Sequence, residues 1–262
     1  MQADDVRRLA ETLRTAETDR RAIAPLKASH PAMTLEDAYA IQLANVRHRI
    51  DRGGRIVGKK VGLTSKAMQS FLGVAEPDFG HLFDDMLFDE ESVLPLGRFL
   101  QPKVEAEIAF VLGATLKGPG VTVLDVLAAT RAVVPSFEII ASRIVDWKIG
   151  IEDTIADNGS SAGLVLGGRP MPVDAVDLKH VGLVLEKNGR IIDTAAGAAV
   201  LGHPAVAVAW LANKLGSMNV ALEEGEVVLA GSLTKAYEVA PGDVFTATFG
   251  GLGSVKAVFS EN

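Results

Sequence analysis

Acidic residues stand in unusually apolar sequence at two places in this chain. The segment PKVEAEIAFVL (102–112) reads as a strand that carries Glu105 and Glu107, and AVVPSFEIIAS (132–142) carries Glu138 as its single charge. Alternate residues of a strand share a face, so Glu105 and Glu107 point the same way. Two carboxylates about 5 Å apart at an effective dielectric near 20 repel by roughly 3 kcal/mol. A buried pair therefore requires protonation, basic partners or a cation.

Two interpretations of these acids are open from the residues alone. In the first, the E-x-E strand turns its acids to solvent beside Lys103, and Glu138 pairs with a nearby base such as Arg143. In the second, Glu105, Glu107 and Glu138 converge on a hard divalent cation, Mg²⁺ or Mn²⁺, because such ions take carboxylate oxygens as ligands. No histidine cluster accompanies these acids, which makes zinc less suitable.

A lysine between glycines is the next candidate for chemistry. In GGRIVGKKVGL (53–63), a strand would place Gly58, Lys60 and Gly62 on one face. Glycines on both sides of a side chain allow a ligand to approach the backbone closely. Lys60 then serves as a proton carrier or as a partner for a carboxylate. The alternative is an ordinary lysine on an edge strand.

Two polar segments resemble functional loops. GVAEPDFGHLFDDM (73–86) is punctuated by Pro and Gly and contains several acids, and we interpret it as a loop. IADNGSSAG (155–163) indicates either turn chemistry or a loop that cradles a ligand. In both cases a solvated connector is the alternative.

The elements that must position these residues are mostly strands. Strands are predicted near 55–63, 103–112, 131–140, 162–167, 180–187, 190–194, 226–231 and 244–259. The Asn-Gly pair at 188–189 predicts a hairpin. Many strands with few intervening helices favour a β-rich α+β fold over a doubly wound sheet.

Helices are predicted chiefly near the N-terminus. Periodicity indicates one over 4–17 and another over 34–51, with Thr34 and Asp37 spaced for a capping box. The apolar residues expected to face inward from these two helices are Val6, Leu9, Ala10, Leu13, Ala38, Ile41, Val46 and Ile50. A third helix begins near Pro204 and ends just before Gly216. We therefore expect a helical region over 1–52 and a β-rich catalytic core over 53–262, integrated as one domain.

Composition restricts the function further. The 262 residues carry a net charge of −7 and no cysteine, which argues against a nucleic-acid partner, a disulfide scaffold and a thiolate site. The sequence contains neither an apolar run of about 18 residues nor a secretory signal, so we expect a cytoplasmic protein without a membrane partner.

Long motifs in the same order resemble a known family. These are VGLTSKAMQSFLGVAEPDFGHLFDDM, PKVEAEIAFVL, FEIIASRIVDWKI, DTIADNGSSAG and GAAVLGHPAVAVAWLANKLG. Together they resemble the 2-keto-4-pentenoate hydratases and 4-oxalocrotonate decarboxylases of the fumarylacetoacetate hydrolase superfamily, from about residue 4 to 259. The resemblance implies a mixed β-roll core, a helical N-terminal part and a homo-oligomer.

The resemblance also implies roles for individual residues. The family's metal ligands correspond to Glu105, Glu107 and Glu138, the acids already selected. Its catalytic lysine and aspartate correspond to Lys60 and Asp78. The residues that line the substrate end correspond to Asn158, Ser160 and Ser161.

The family contains two close activities, and EPDFG favours one of them. A hydratase acts on 2-hydroxypenta-2,4-dienoate or a close analogue, as in the meta-cleavage catabolism of aromatic compounds, and needs a group such as Asp78 to shuttle protons. A decarboxylase chiefly needs a group that accepts the electrons left behind when CO₂ departs, and a metal-bound 2-oxo group provides it. AGAAVLGHPA also resembles decarboxylases, so that activity is the alternative, with a non-catalytic partner subunit as another. The compact SRIVDWKIGIEDT favours a monocarboxylate dienoate. A decarboxylase or aldolase of the same pathway is the candidate partner for a complex.

Overall fold

The computed structural model describes residues 1–65, 69–70 and 74–261. Part of the motif VGLTSKAMQSFLGVAEPDFGHLFDDM, residues 66–68 and 71–73, therefore lies outside the described residues. The helices are α1 (Ala3–Thr18), α2 (Leu26–Ser29), α3 (Leu35–Asp51), α4 (Val123–Ala129), α5 (Ile151–Ala156) and α6 (Pro204–Gly216). The longer strands are β1 (Ile56–Gly62), β2 (Asp78–Phe83), β5 (Lys103–Leu112), β6 (Thr130–Ile140), β7 (Ser161–Leu166), β8 (Gly182–Lys187), β9 (Arg190–Ala196), β12 (Val244–Phe249) and β13 (Gly253–Phe259). The short strands are β3 (Leu87–Phe88), β4 (Val93–Leu94), β10 (Val227–Leu229) and β11 (Tyr237–Glu238).

Two mixed sheets form the core of the described chain. The first has the order β2-β1-β10-β5-β6-β7-β3, with β11 added to the end of β5, and the second has the order β4-β13-β12-β8-β9. The second sheet packs on one face of the first, where the rings of Phe137 and Phe245 meet edge to face at 6.4 Å. The expected β-rich α+β architecture is thus confirmed.

The first sheet curls toward its other face. Strands β1 and β6 are separated by two strands, about 14 Å on a flat sheet, and side chains perpendicular to such a sheet would not meet. Yet Lys60 Nζ on β1 lies 3.5 Å from Glu138 Oε2 on β6. The concave face is therefore a place where side chains from distant strands converge.

The N-terminal helices cover one end of this curled sheet. Helix α3 begins with the predicted capping box of Thr34 and Asp37. Its buried Gln42 donates hydrogen bonds from Nε2 to the carbonyls of Phe79 (2.9 Å) and Ile155 (2.8 Å). Ile50 is predicted to face inward but is 47% exposed, because it lies with Leu43 on the outer side of α3, whereas its neighbour Arg49 packs over the Phe83 ring of β2.

Several strand predictions are confirmed and others need correction. The Asn-Gly hairpin joins β8 to β9, with left-handed φ values of 54° at Asn188 and 73° at Gly189. The segment 244–259 is two strands, β12 and β13, paired antiparallel. Gly216 is the last residue of α6 and does not follow it. Helices α4 and α5 were not anticipated, because one or two turns give too few residues to show periodicity.

The segment 73–86 is the main correction to the sequence analysis. Its residues 78–83 are not loop but strand β2, buried at every position and paired with β1. The Pro and Gly residues mark where β2 begins and where it allows a close neighbour. A strand buried on both faces lacks the alternation of polar and apolar residues by which strands are recognised.

No helix among the described residues is long and apolar enough to cross a membrane. The proposed division at residue 52 stays a prediction. Leu9 of α1 and Ile41 of α3 belong to the same apolar cluster as Val61 of β1, which agrees with a single integrated unit.

Candidate active site

Three glutamates of the central strands meet on the concave face. Glu105 of β5 and Glu138 of β6 are direct cross-strand partners, and Glu107 follows on the same face of β5. One carboxylate oxygen from each lies within 4.8 Å of the others. Glu107 and Glu138 are fully buried, and Glu105 is half-buried. The interpretation in which these acids face solvent is therefore wrong.

Burial makes these carboxylates costly to ionise. Burial, together with the charges of Glu138 and Glu105, raises the pKa of Glu107 well above its usual value. Burial also raises the pKa of Glu105, and it raises that of Glu138 to about 7 against the opposing effect of Lys60. One Glu107 oxygen accepts a hydrogen bond from the Gly231 N–H at 2.7 Å. The other Glu107 oxygen and both Glu138 oxygens have no hydrogen-bond partner among the described residues.

Lys60 stands among the acids. Strand β1 lies inside the sheet between β2 and β10, so the edge-strand interpretation of Lys60 is wrong. The ammonium is 3.5 Å from Glu138 Oε2, and the side chain is 4% exposed. Burial alone would lower the pKa of Lys60, but the charges of Glu138, Asp78, Glu105 and Glu107 together raise it. The lysine therefore carries a proton in the metal-free site.

Asp78 reaches the same face from β2. It is the cross-strand partner of Gly62, where a Cβ atom would lie 2.1 Å from Asp78 Oδ1. The glycine beside Lys60 thus makes room for the aspartate. Burial raises the pKa of Asp78, opposed by Lys60, by the Gly62 N–H and by the Thr154 hydroxyl. Its Oδ1 has no hydrogen-bond partner among the residues that the structure describes.

The segment 158–161 closes the site next to Lys60. A Cβ at Gly159 would lie 3.3 Å from Lys60 Nζ. The buried Ser160 and Ser161 hydroxyls lack a hydrogen bond within the described chain, although Ser161 is near enough to lower the pKa of Glu138. Asn158 is less free, because its amide already bonds the backbone of His81.

Arg143 does not pair with Glu138, contrary to the alternative considered from the sequence. Its guanidinium and its backbone N–H both bond the Asp157 carboxylate. Residues 141–144 turn away after β6 ends, which carries Arg143 to the far side of residues 157–161. Glu138 therefore pairs with Lys60 instead.

Three polar groups near the site do not stand out in the sequence. Gly231 supplies the N–H that Glu107 accepts, the Thr154 hydroxyl is near enough to lower the pKa of Asp78, and Ser232 Oγ is buried without a partner among the described residues. The only sequence signal for the first is a glycine after the apolar run VVLA (227–230). In the structure this glycine has a left-handed φ of 108°. Such a glycine marks a close backbone approach without saying to what.

The site suits a hard divalent cation. Four carboxyl groups surround one ammonium, so their negative charge would exceed the available positive charge if all were ionised. The three carboxylates converge, and Glu107 and Glu138 have oxygens without a hydrogen-bond partner among the described residues. This arrangement matches Mg²⁺ or Mn²⁺, which retain open positions for water or substrate. The residues present therefore fit such an ion, with the Lys60 ammonium as a proton donor and a fourth carboxyl group, that of Asp78, alongside.

The chain is similar to several known proteins. Residues 58–260 match the family model described as fumarylacetoacetate (FAA) hydrolase C-terminal. The chain is 47% identical to a 2-keto-4-pentenoate hydratase of Paraburkholderia xenovorans, over 97% of this chain and 94% of that protein. It is 46% identical to a 2-hydroxyhexa-2,4-dienoate hydratase of Comamonas testosteroni, over 97% and 96% of the two chains.

A solved structure is similarly close. The 4-oxalocrotonate decarboxylase of Pseudomonas putida, complexed with magnesium and adipate, superposes with a TM-score of 0.96 at 40% identity, covering 99% of this chain and 98% of that one. Among these relatives the higher identities are to hydratases, which favours the hydratase interpretation over the decarboxylase. This chain belongs to the fumarylacetoacetate hydrolase family and, within it, to the family of 2-keto-4-pentenoate hydratases and 4-oxalocrotonate decarboxylases.

Proposed function

We propose that this protein is a divalent-metal-dependent hydro-lyase that adds water to 2-hydroxypenta-2,4-dienoate, or a close analogue, to give a 4-hydroxy-2-oxo acid. The observation that carries the proposal is the convergence of Lys60 and Asp78 with three glutamates on one concave face. The identities of 46–47% to named hydratases support the reaction type.

Glu105, Glu107 and Glu138 would hold Mg²⁺ or Mn²⁺. When bound, such an ion stabilises negative charge that develops on the 2-oxygen of a 2-oxo acid. The Gly231 N–H fixes the orientation of the Glu107 carboxylate at 2.7 Å, so this ligand does not need to reorganise.

Lys60 and Asp78 are the groups that hold and move protons. Conversion of the dienol to a 2-oxo-3-enoate and the addition of water at C4 both require protons to leave oxygen and arrive at carbon. The Lys60 ammonium lies 3.5 Å from Glu138 Oε2, and a Cβ atom at Gly62 would lie 2.1 Å from Asp78 Oδ1 and 3.1 Å from Lys60 Nζ, so both groups face the same space. Ser160 and Ser161 offer hydroxyls that are free to bond the substrate's oxygens.

One experiment tests the activity. Freshly prepared 2-hydroxypenta-2,4-dienoate is supplied with Mg²⁺ or Mn²⁺, with and without a chelator, and the products are identified. Metal-dependent formation of 4-hydroxy-2-oxopentanoate is the expected result. Release of CO₂ from 2-oxohex-3-enedioate, without hydration of the dienoate, would assign the decarboxylase instead. If neither substrate reacts, the interpretation as a non-catalytic partner of such an enzyme is the one that remains.

We also infer a homo-oligomer. Leu43 is 41% and Ile50 is 47% exposed, and their spacing of seven residues places them on one side of α3. Such an apolar pair on a charged helix supports contact with another copy or with a pathway partner. Sedimentation of the wild type and of a Leu43→Ser/Ile50→Ser variant tests this, and equal monomeric masses would contradict it.

A further inference from the structure

A turn with left-handed backbone lies between α5 and β7 in the chain and contacts β2 of the curled sheet. Asn158, Gly159 and Ser160 have successive φ values of 59°, 60° and 57°. Left-handed backbone is unfavourable for residues with a Cβ and rarely continues over neighbouring residues. The surrounding bonds must therefore impose this turn, and two of them stand out.

The first is the side chain of Asn158. Its Oδ1 accepts the His81 N–H at 2.8 Å, and its Nδ2 donates to the His81 carbonyl at 2.9 Å. The amide thus bonds β2 as a neighbouring strand would. Gly80 makes this approach possible, since a Cβ there would lie 2.3 Å from the Asn158 carbonyl oxygen.

The second is the pair of Arg143 and Asp157. Arg143 is 6% and Asp157 is 2% exposed. The Asp157 carboxylate accepts from the Arg143 backbone N–H at 3.0 Å and from its Nε, and Nη2 donates to the Asp157 carbonyl. A planar guanidinium with several bonds to one residue fixes direction as well as distance. This pair sets the conformation of the residue that enters the turn.

The turn separates Lys60 from a cavity. On one side, Gly159 lies against the end of the Lys60 side chain. On the other, a cavity of about 310 Å³ between α1, α3 and the turn is lined by Asp157, Asn158 and Ser161. Because this side lacks close packing, the turn depends on its hydrogen bonds to keep its place.

We propose that Arg143, Asp157 and Asn158 are positioning residues for hydration: they press the left-handed turn 158–160 against Lys60 and fix the place of Lys60 Nζ. The inference rests on the proposed function and changes the expected role of Asn158, whose amide is committed to His81 and not to the substrate. Metal binding is expected to be independent of it, because the glutamates lie on β5 and β6.

Two variants test the proposal. Arg143→Lys keeps the charge but loses the guanidinium's bonds, and Asn158→Gly keeps the left-handed backbone without strain but loses the amide. In each we expect faster hydrogen exchange at the His81 amide and Mn²⁺ affinity within about threefold of the wild type. We expect kcat to fall about tenfold to a hundredfold while KM changes much less, as for a misplaced reacting group.

Asn188→Gly is the matched control. Asn188 is also left-handed, at φ 54°, and its amide also bonds on both sides, to Asp243 and to the Val244 N–H. It lies in the hairpin of the second sheet, so we expect a lower Tm with kcat and His81 exchange unchanged. A folded Arg143→Lys or Asn158→Gly protein with wild-type kcat would overturn the proposal, as would a control that loses kcat equally. The exchange and Mn²⁺ measurements use no substrate, so they test whether Arg143, Asp157 and Asn158 hold the turn 158–160 even if the hydratase activity fails.

Discussion

Glu107 is the residue at which burial and charge conflict most strongly. Its pKa is raised well above the usual value by burial and by neighbouring carboxylates, so the folded metal-free protein binds a proton that the unfolded chain releases. Stability from this group is present below the unfolded pKa and is lost as the pH rises through the folded pKa. A bound cation would remove the conflict, since it favours the ionised form.

The variant Glu107→Gln measures both effects. Without metal, we expect the Tm of the wild type to fall as the pH rises above 4.5, the ordinary pKa of a glutamate, and that of Glu107→Gln to fall less. The amide oxygen of the substituted side chain can still accept the Gly231 N–H, so the fold is retained. With Mn²⁺, we expect affinity to drop by at least about 100-fold, the upper range for loss of an outer partner. Calorimetric titration and melting curves check this, and unchanged Mn²⁺ affinity would show that the metal site is misplaced.

A substitution at Asp78 distinguishes proton transfer from metal binding. Asp78→Asn keeps the shape of the side chain next to Gly62 but removes its ability to exchange a proton. We expect kcat for hydration to fall about 100- to 10,000-fold, the range for general acid–base groups, with Mn²⁺ affinity unchanged. Steady-state kinetics beside a metal titration make the comparison. Full hydration activity with intact metal binding would contradict the role.

At the scale of elements, two glycines of β1 have different tasks. A Cβ at Gly58 would lie 1.9 Å from the Val227 carbonyl oxygen, whereas one at Gly62 would lie 2.1 Å from Asp78 Oδ1. The first neighbour is backbone of β10 and cannot move without disturbing the sheet. The second is a side chain that can rotate, at the cost of its position in the site.

We therefore expect Gly58→Ala and Gly62→Ala to differ in kind. Gly58→Ala should lower the free energy of unfolding by about 1–3 kcal/mol or more, as overpacking does, with the smaller effect on kcat. Gly62→Ala should lower the free energy of unfolding less than Gly58→Ala does, and it should lower kcat more. Denaturant unfolding and kinetics on both variants distinguish the cases. Equal losses of kcat would mean that Gly62 serves only the packing of β1.

The elements also show why some predictions failed. Strands β5 and β6 were found from their long apolar runs, and the hairpin at Asn188 from its turn chemistry. Strand β2 was not found, because DFGHLF has burial on both faces and a glycine in the middle. The helices at 123–129 and 151–156 are too short to repeat a pattern.

At the scale of the whole molecule, the N-terminal helices hold the site as well as cover it. Gln42 of α3 ties Phe79 of β2 to Ile155 of α5, the helix that carries Thr154 toward Asp78. Leu9, Ile41 and Val61 share one apolar cluster. We propose that residues 1–52 and 53–262 form one integrated domain.

Removal of residues 1–52 tests this integration. The truncated protein would expose the apolar residues that α1 and α3 now bury, so we expect a non-cooperative melt and loss of Mn²⁺ binding. The full chain with Gln42→Leu is the milder comparison, because it breaks only the two buried hydrogen bonds. Circular dichroism and Mn²⁺ titration suffice. A cooperative melt with normal Mn²⁺ affinity in the truncated chain would show two independent units.

The sequence by itself determined the site's chemical character. Carboxylates that are buried in apolar strands need a counter-charge or a proton, so Glu105, Glu107 and Glu138 indicate a cation site as one of two interpretations, the other being acids that face solvent. Only the tertiary structure decided which partners these groups have. The curl of the first sheet brings Lys60 across two strands to Glu138. The turn after β6 places Arg143 where it forms an ion pair with Asp157. Such pairings depend on strand order and curvature, which arise from contacts between residues far apart in the chain, and no local pattern encodes them.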